Sequence, residues 1–159
     1  MGMRQAGEVR QDGCVIERGD ITTRADCERL VRAFYGRAMS DPILGFLFVD
    51  VARLDLESHV PRITDFWETI LLGAQRYSGG AFRPHAELNA KAPLRPGHFE
   101  RWLHLWRTTV DELFAGPTAE LAKAHADRVG RAFYQRIEAI NGPPGAPGPM
   151  VVTQHRPQD

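Results

Sequence analysis

Between residues 20 and 140 the apolar side chains recur every three or four positions and never alternate over a strand-length run, so this stretch can bury its apolar surface only as packed helices. The first pattern covers 23–39, where Cys27, Leu30, Val31, Phe34, Tyr35, Ala38 and Met39 share one face. Thr23 is placed to cap it. Ser40-Asp41-Pro42 stops it, because a proline disfavours helical backbone at the residue before it. Residues 43–48 form a short apolar linker. A second pattern, over 55–72, carries Leu56, His59, Val60, Ile63, Phe66, Trp67, Ile70 and Leu71. Pro61 falls inside it. Since proline is tolerated in a first turn, the spacing favours Ser58 as N-cap, the alternative being a start at Asp55 with a kink at Pro61. After Gly73 comes a loop that holds His85 in a short helical turn. Helices over 98–114 and from Pro117-Thr118 to 140 complete the set, separated at Gly116. The expected fold class is all-α.

The flanks lack this period. Residues 1–19 are polar and aperiodic, the pattern of a flexible arm. Residues 141–159, NGPPGAPGPMVVTQHRPQD, hold proline and glycine too densely for a helix or strand and are expected to be disordered. One domain, 20–140, remains. With 20 basic and 20 acidic residues the formal charge is +0, which gives no overall field toward nucleic acid or an anionic membrane. No apolar run approaches the roughly 20 residues that span a bilayer, and the N-terminus lacks the apolar core of a signal peptide. Cys14 and Cys27 form no CxxC pair. These features together point to a reducing cytoplasm and no obligatory disulfide.

Four groups can face the space between the helices. Tyr35 and Trp102 lie on apolar faces, and each carries a polar hydrogen that needs an acceptor when buried. His59 lies on the apolar stripe of its helix, one turn before Ile63, and His85 lies between two long helical patterns. Taken singly, each is an ordinary core aromatic, core histidine or loop histidine. Taken together, they offer one imidazole as a metal ligand and three hydrogen-bonding groups around it. His98, His104 and His125 read as surface residues, and His155 belongs to the tail. HExxH, paired CxxC, GxSxG, the P-loop and GxGxxG are all missing, so zinc, hydrolase and nucleotide chemistry have no sequence basis.

The segments Leu30-Val31-Arg-Ala-Phe34-Tyr35, Ser40-Asp41-Pro42-Ile-Leu-Gly45, Phe48, His59, Asp65-Phe66-Trp67 and Leu72-Gly73 continue with Tyr77-Ser-Gly79, His85 and His98-Phe99-Glu-Arg-Trp102-Leu103. In order and spacing, over nearly all of 20–140, the series resembles the truncated haemoglobins, specifically their group III. The resemblance implies a two-over-two sandwich of helices around haem b, in which the haem-ligand helix is little more than a turn. By position it implies His85 as the proximal iron ligand and Tyr35, His59 and Trp102 as the groups acting on the bound ligand. Phe48 would be the ring packed on the haem, and Ile63 an apolar wall. Leu56 departs from the pattern, since many group III chains carry a tryptophan three residues before the distal histidine. The implied function is binding of dioxygen and other diatomics. Reaction of bound dioxygen with nitric oxide stands first and peroxide chemistry second, and both need an external electron donor. Arg83, Lys91 and Arg95 are candidates for the haem propionates, beside their plainer role as solvated loop charge. A haem-based gas or redox sensor, or a haem-free helical interaction module, is the alternative.

Overall fold

The computed structural model describes residues 18–75 and 79–142, together with a two-residue ladder that pairs Glu8–Val9 with Val15–Ile16. The ladder is antiparallel, with Glu8 opposite Ile16, and falls within the segment expected to be an irregular arm. The rest of that arm, Tyr77, Ser78 and the tail from 143 onward lie outside the described residues, as do Cys14 and His155.

Helix α1 (Arg24–Ser40) starts where the sequence says it should. The Thr23 hydroxyl accepts from the Asp26 amide at 3.2 Å, and the Asp26 carboxylate accepts from the Thr23 amide at 3.1 Å. Two amides that the helix itself cannot satisfy are thereby bonded. The helix ends at Asp41, whose extended backbone suits the residue before a proline. The Asp41 side chain, 3% exposed, accepts from the amides of Ile43 and Leu44 at 2.9 and 3.0 Å. It also accepts from Nε and Nη2 of Arg101 at 2.9 and 2.7 Å, which ties the corner after α1 to a distant helix. At Gly45 a Cβ would sit 2.8 Å from the Met39 carbonyl oxygen, so only glycine lets the chain pass α1 this closely. The expected linker 43–48 is a turn followed by a π-helical turn, Leu47–Val51. It buries Leu44 and Leu47 and leaves Ile43, Phe46 and Val49 exposed.

Helix α2 (Leu56–Leu72) has Asp55 at its N-cap position, without a side-chain capping bond, so the earlier start prevails and Ser58 is not the N-cap. Ser58 instead donates to the Asp55 carbonyl at 3.1 Å. Pro61 then sits in the second turn and deprives the Glu57 carbonyl of its helical donor, at a residue open to water. The extra turn packs Leu56 against the core and sets His59 on the face of Ile63. Helix α3 (Phe82–Lys91) has ten residues, longer than the single turn expected for the His85 segment. Pro84 is its third residue, where no intrahelical amide is required, so the proline does not shorten it. Helix α4 (Pro96–Leu113) opens with Pro96 at its first position, two residues before the expected start.

Helix α5 (Pro117–Asn141) is capped from outside. The Asp20 carboxylate accepts from the amides of Thr118 and Ala119 at 3.0 and 2.8 Å. Gly116 has φ +144°, and a Cβ there would lie 2.5 Å from Asp20 Cγ, which leaves glycine as the residue that admits this cap. In packing, α1 lies against α2 and α4, and α5 against α4, α2 and α3. The result is a two-over-two arrangement, α1 with α2 and α4 with α5, which carries the small α3 at one side.

Arg101 holds the Asp41 carboxyl below the usual carboxylate range against the opposing effect of burial, and the two amides add to it. A depressed folded pKa means that the stabilisation is complete above the unfolded value of about 3.9 and is lost as pH falls through the lower, folded value. Asp41→Asn should therefore be less stable than the wild type at pH 6, with the gap narrowing toward pH 2. Urea unfolding across that range measures it; a gap constant with pH would mean that the charge is not what matters.

Candidate functional site

The two helix pairs do not close completely. Between them and α3 lies a cavity of about 220 Å³ with largely apolar walls. Tyr35 of α1, Phe48 of the π-helical turn, His59 and Ile63 of α2, His85 of α3 and Trp102 of α4 all line it. The six residues expected to hold the iron, the haem face and the bound ligand thus line one space.

His85 is the fourth residue of α3, and its Nδ1 lies 2.7 Å from the Ala81 carbonyl oxygen. A carbonyl only accepts, so Nδ1 carries the proton and Nε2 keeps its lone pair. Burial lowers the His85 pKa, with the Ala81 bond working against it, which favours the neutral ring. Phe133 of α5 packs at 4.8 Å between ring centroids and backs the imidazole. An imidazole with one N–H held by a backbone carbonyl and the other nitrogen free is the arrangement of a metal-ligating histidine.

Three donors stand on the other walls. Tyr35 is 8% exposed and meets His59 and Phe48 edge-on at 5.7 and 5.8 Å. Burial holds the proton on its phenol, and among the described residues its hydroxyl has no hydrogen-bond partner. The Trp102 indole N–H likewise has none among them, whereas Trp106 donates to the Ala122 carbonyl at 3.2 Å. Nearby indoles thus differ: one N–H is spent on the fold and the other is left to the cavity. His59 is half-buried. Its pKa is lowered first by burial and then by the charge of Arg62, which favours a neutral ring that can donate or accept.

Two polar lining residues, Arg62 and His98, are not among the site residues expected from the sequence. Arg62 follows His59 by three positions on the same helix face, which was a usable signal. The cations singled out instead, Arg83, Lys91 and Arg95, are not among the lining residues; Arg83 is 86% exposed and pairs with Glu87. His98, expected to be a surface residue, lines the cavity, and its Nδ1 accepts from the Arg95 amide at 3.0 Å to cap α4.

Among the described residues no three His, Cys, Asp or Glu side chains converge as a metal-binding group. One free imidazole nitrogen on an apolar cavity therefore fits a metal whose other ligands arrive with an apolar cofactor. The solved crystal structure of the group III truncated hemoglobin from Campylobacter jejuni matches the chain with TM-score 0.68 and 21% identity, over 80% of this chain and 100% of that one. The fold is that of a truncated globin. The group 3 truncated hemoglobin ctb of Campylobacter jejuni is 23% identical over 117 residues, which cover 72% of this chain and 90% of that protein. No family model matches. Among the described residues of this truncated-globin fold, no helix is long and apolar enough to cross a membrane.

A hydroxyl with no hydrogen-bond partner among the described residues adds no bond to the fold. Tyr35→Phe should leave the cofactor-free protein as stable as the wild type or up to about 1 kcal/mol more stable. Trp106→Phe, which removes both a bonded indole and core volume, should destabilise it by about 2 kcal/mol or more. Denaturant melts of the two variants decide the matter, and a large loss for Tyr35→Phe would reveal a structural partner for the hydroxyl.

Proposed function

We propose that this chain is a group III truncated haemoglobin that binds haem b in the cavity through His85 Nε2. What carries the reading is the Nδ1–H bond from His85 to Ala81, which leaves the other ring nitrogen unprotonated on an apolar wall. The names of both similar proteins, each a truncated hemoglobin, support it. Bound haem supplies an iron that takes dioxygen and other diatomics. Phe48 and Ile63 would give the cofactor apolar walls, and Arg62 would offer a cation to a propionate, since all three line the cavity.

Tyr35, Trp102 and His59 supply the polar chemistry. The Tyr35 hydroxyl and the Trp102 indole would donate to a bound ligand that gains negative charge, and both donors lack a competing protein partner among the described residues. A hydrogen bond to a charged acceptor contributes about 1.5–3 kcal/mol, so two of them slow ligand release by roughly two to four decades. Such a pocket favours reaction over carriage. We assign oxidation of nitric oxide by dioxygen and one external electron to nitrate as its first reaction, with peroxide reduction second. The electron comes from a separate donor, and the reading includes a cytoplasmic location and a globin unit over about 20–140.

Absorption spectra of the haem-loaded protein test this assignment. The ferrous form should be five-coordinate, the signature should vanish in His85→Gly, and added imidazole should restore it. Tyr35→Phe and Trp102→Phe should each speed dioxygen release by about 10- to 100-fold. Haem that fails to bind stoichiometrically, or binds His85→Gly unchanged, would sink the reading. Decay of the dioxygen complex by nitric oxide no faster than in a storage globin would remove the first reaction and leave the binding function.

A further inference from the structure

The helix that carries His85 is ten residues long and is held by the last turns of α5. Phe133 packs on Phe82 at 5.6 Å and on His85 at 4.8 Å, and the Arg136 guanidinium lies 3.6 Å from the Phe82 ring centroid. These contacts hold α3 close to α5 but fix no direction, since ring packing tolerates sliding and rotation. The directional link is a pair of amides. Asn89 Nδ2 donates to Asn141 Oδ1 at 2.8 Å, and Asn141 Nδ2 donates back to Asn89 Oδ1 at 2.9 Å. The same Asn89 oxygen accepts from the Leu94 amide at 2.8 Å, and Asn89 is 5% exposed.

Two antiparallel bonds between planar groups fix separation and orientation together, which one bond cannot do. Asn89 follows His85 by four residues, so the two side chains lie on one face of a rigid helical turn. A shift of the amide pair therefore moves the imidazole with it. From this geometry we infer that Asn89 and Asn141 are positioning residues for His85. Their clasp sets the tilt and reach of Nε2 and hence the strength of its bond to the iron. The inference rests on the haem reading above. Asn141 is the last residue of α5, so the His85 side of the cavity is governed from the C-terminal end of that helix.

The test uses the full chain loaded with haem. Asn141→Leu removes both bonds at similar volume. Asn141→Gln keeps the amide. Gly116→Ala, which strains the opposite end of α5, serves as a control for plain destabilisation. Resonance Raman of the ferrous form reads the iron–histidine stretch, and transfer to excess apomyoglobin reads haem loss. Asn141→Leu should lower and broaden the stretch and speed haem loss by about tenfold, the scale of outer-shell partners of metal ligands. Asn141→Gln should recover part of both. Gly116→Ala should change neither the stretch nor the haem-loss rate, although it lowers the melting temperature. Should the leucine variant not fold, Asn141→Asp, which keeps the acceptor and loses the donor, is read in its place. An unchanged stretch in the clasp variants, or the same change in Gly116→Ala, overturns the inference. A wild-type protein with no iron–histidine band overturns the haem reading and the clasp with it.

Discussion

Trp106 is where the four long helices meet. Its ring stacks on Trp67 of α2 at 4.4 Å, takes the edge of Phe34 of α1 at 5.3 Å, and lies parallel to Trp102 of α4 at 6.2 Å. Its N–H bonds the Ala122 carbonyl of α5. Buried aromatic rings of this size contribute much of the apolar surface in a small core, and their edge and stacked contacts set angles that aliphatic packing would leave loose. Because Phe34 also meets Tyr35 and Trp102 edge-on, the cluster that closes the core forms the cavity wall as well. The cavity is thus an opening bounded by rigid rings, and it need not weaken the core beneath it.

Polar groups do their structural work where regular helix is lost. Asp41 turns the chain after α1, Asp20 caps α5, and Arg24 joins Asp65 and Glu68 across α1 and α2 at 2.6 Å each. The first two satisfy backbone amides that have no helical acceptor, which is more valuable than an exposed ion pair. Pairs such as Arg83–Glu87 are open to solvent and contribute little. Asp41 has a further consequence for the site. By bonding the amides of Ile43 and Leu44 and holding Arg101, the residue before Trp102, it links the segment leading to Phe48 with the helix that supplies an indole donor.

Helix-period patterning made the four long helices legible, along with the faces that bury Leu30, Val31, Val60, Trp67 and Val110, because burial of one face repeats every three or four residues whatever the partner is. The same logic made Tyr35, His59 and Trp102 conspicuous, as polar groups on apolar stripes. Other features were hidden. The start of α2 turned on whether Leu56 found a core to pack against, and local proline rules cannot supply that. The length of α3 depended on its docking to α5. Arg62 and His98 carry no apolar label, and the cavity they line exists only once the helices are assembled.

Asn141 shows the boundary most clearly. In sequence it opens a run of glycine and proline, and composition assigns it to the tail. In the structure it ends α5 and bonds a buried side chain 52 positions away. By itself the sequence determined that the chain is helical, where most helices stop, and which polar residues sit on their buried faces, because those follow from periodicity, capping and backbone sterics within a few residues. Only the tertiary structure decided which of those faces surround the cavity, which indole N–H is left free, and what holds the His85 helix. Those outcomes depend on contacts between residues far apart in the chain, and no local pattern encodes them.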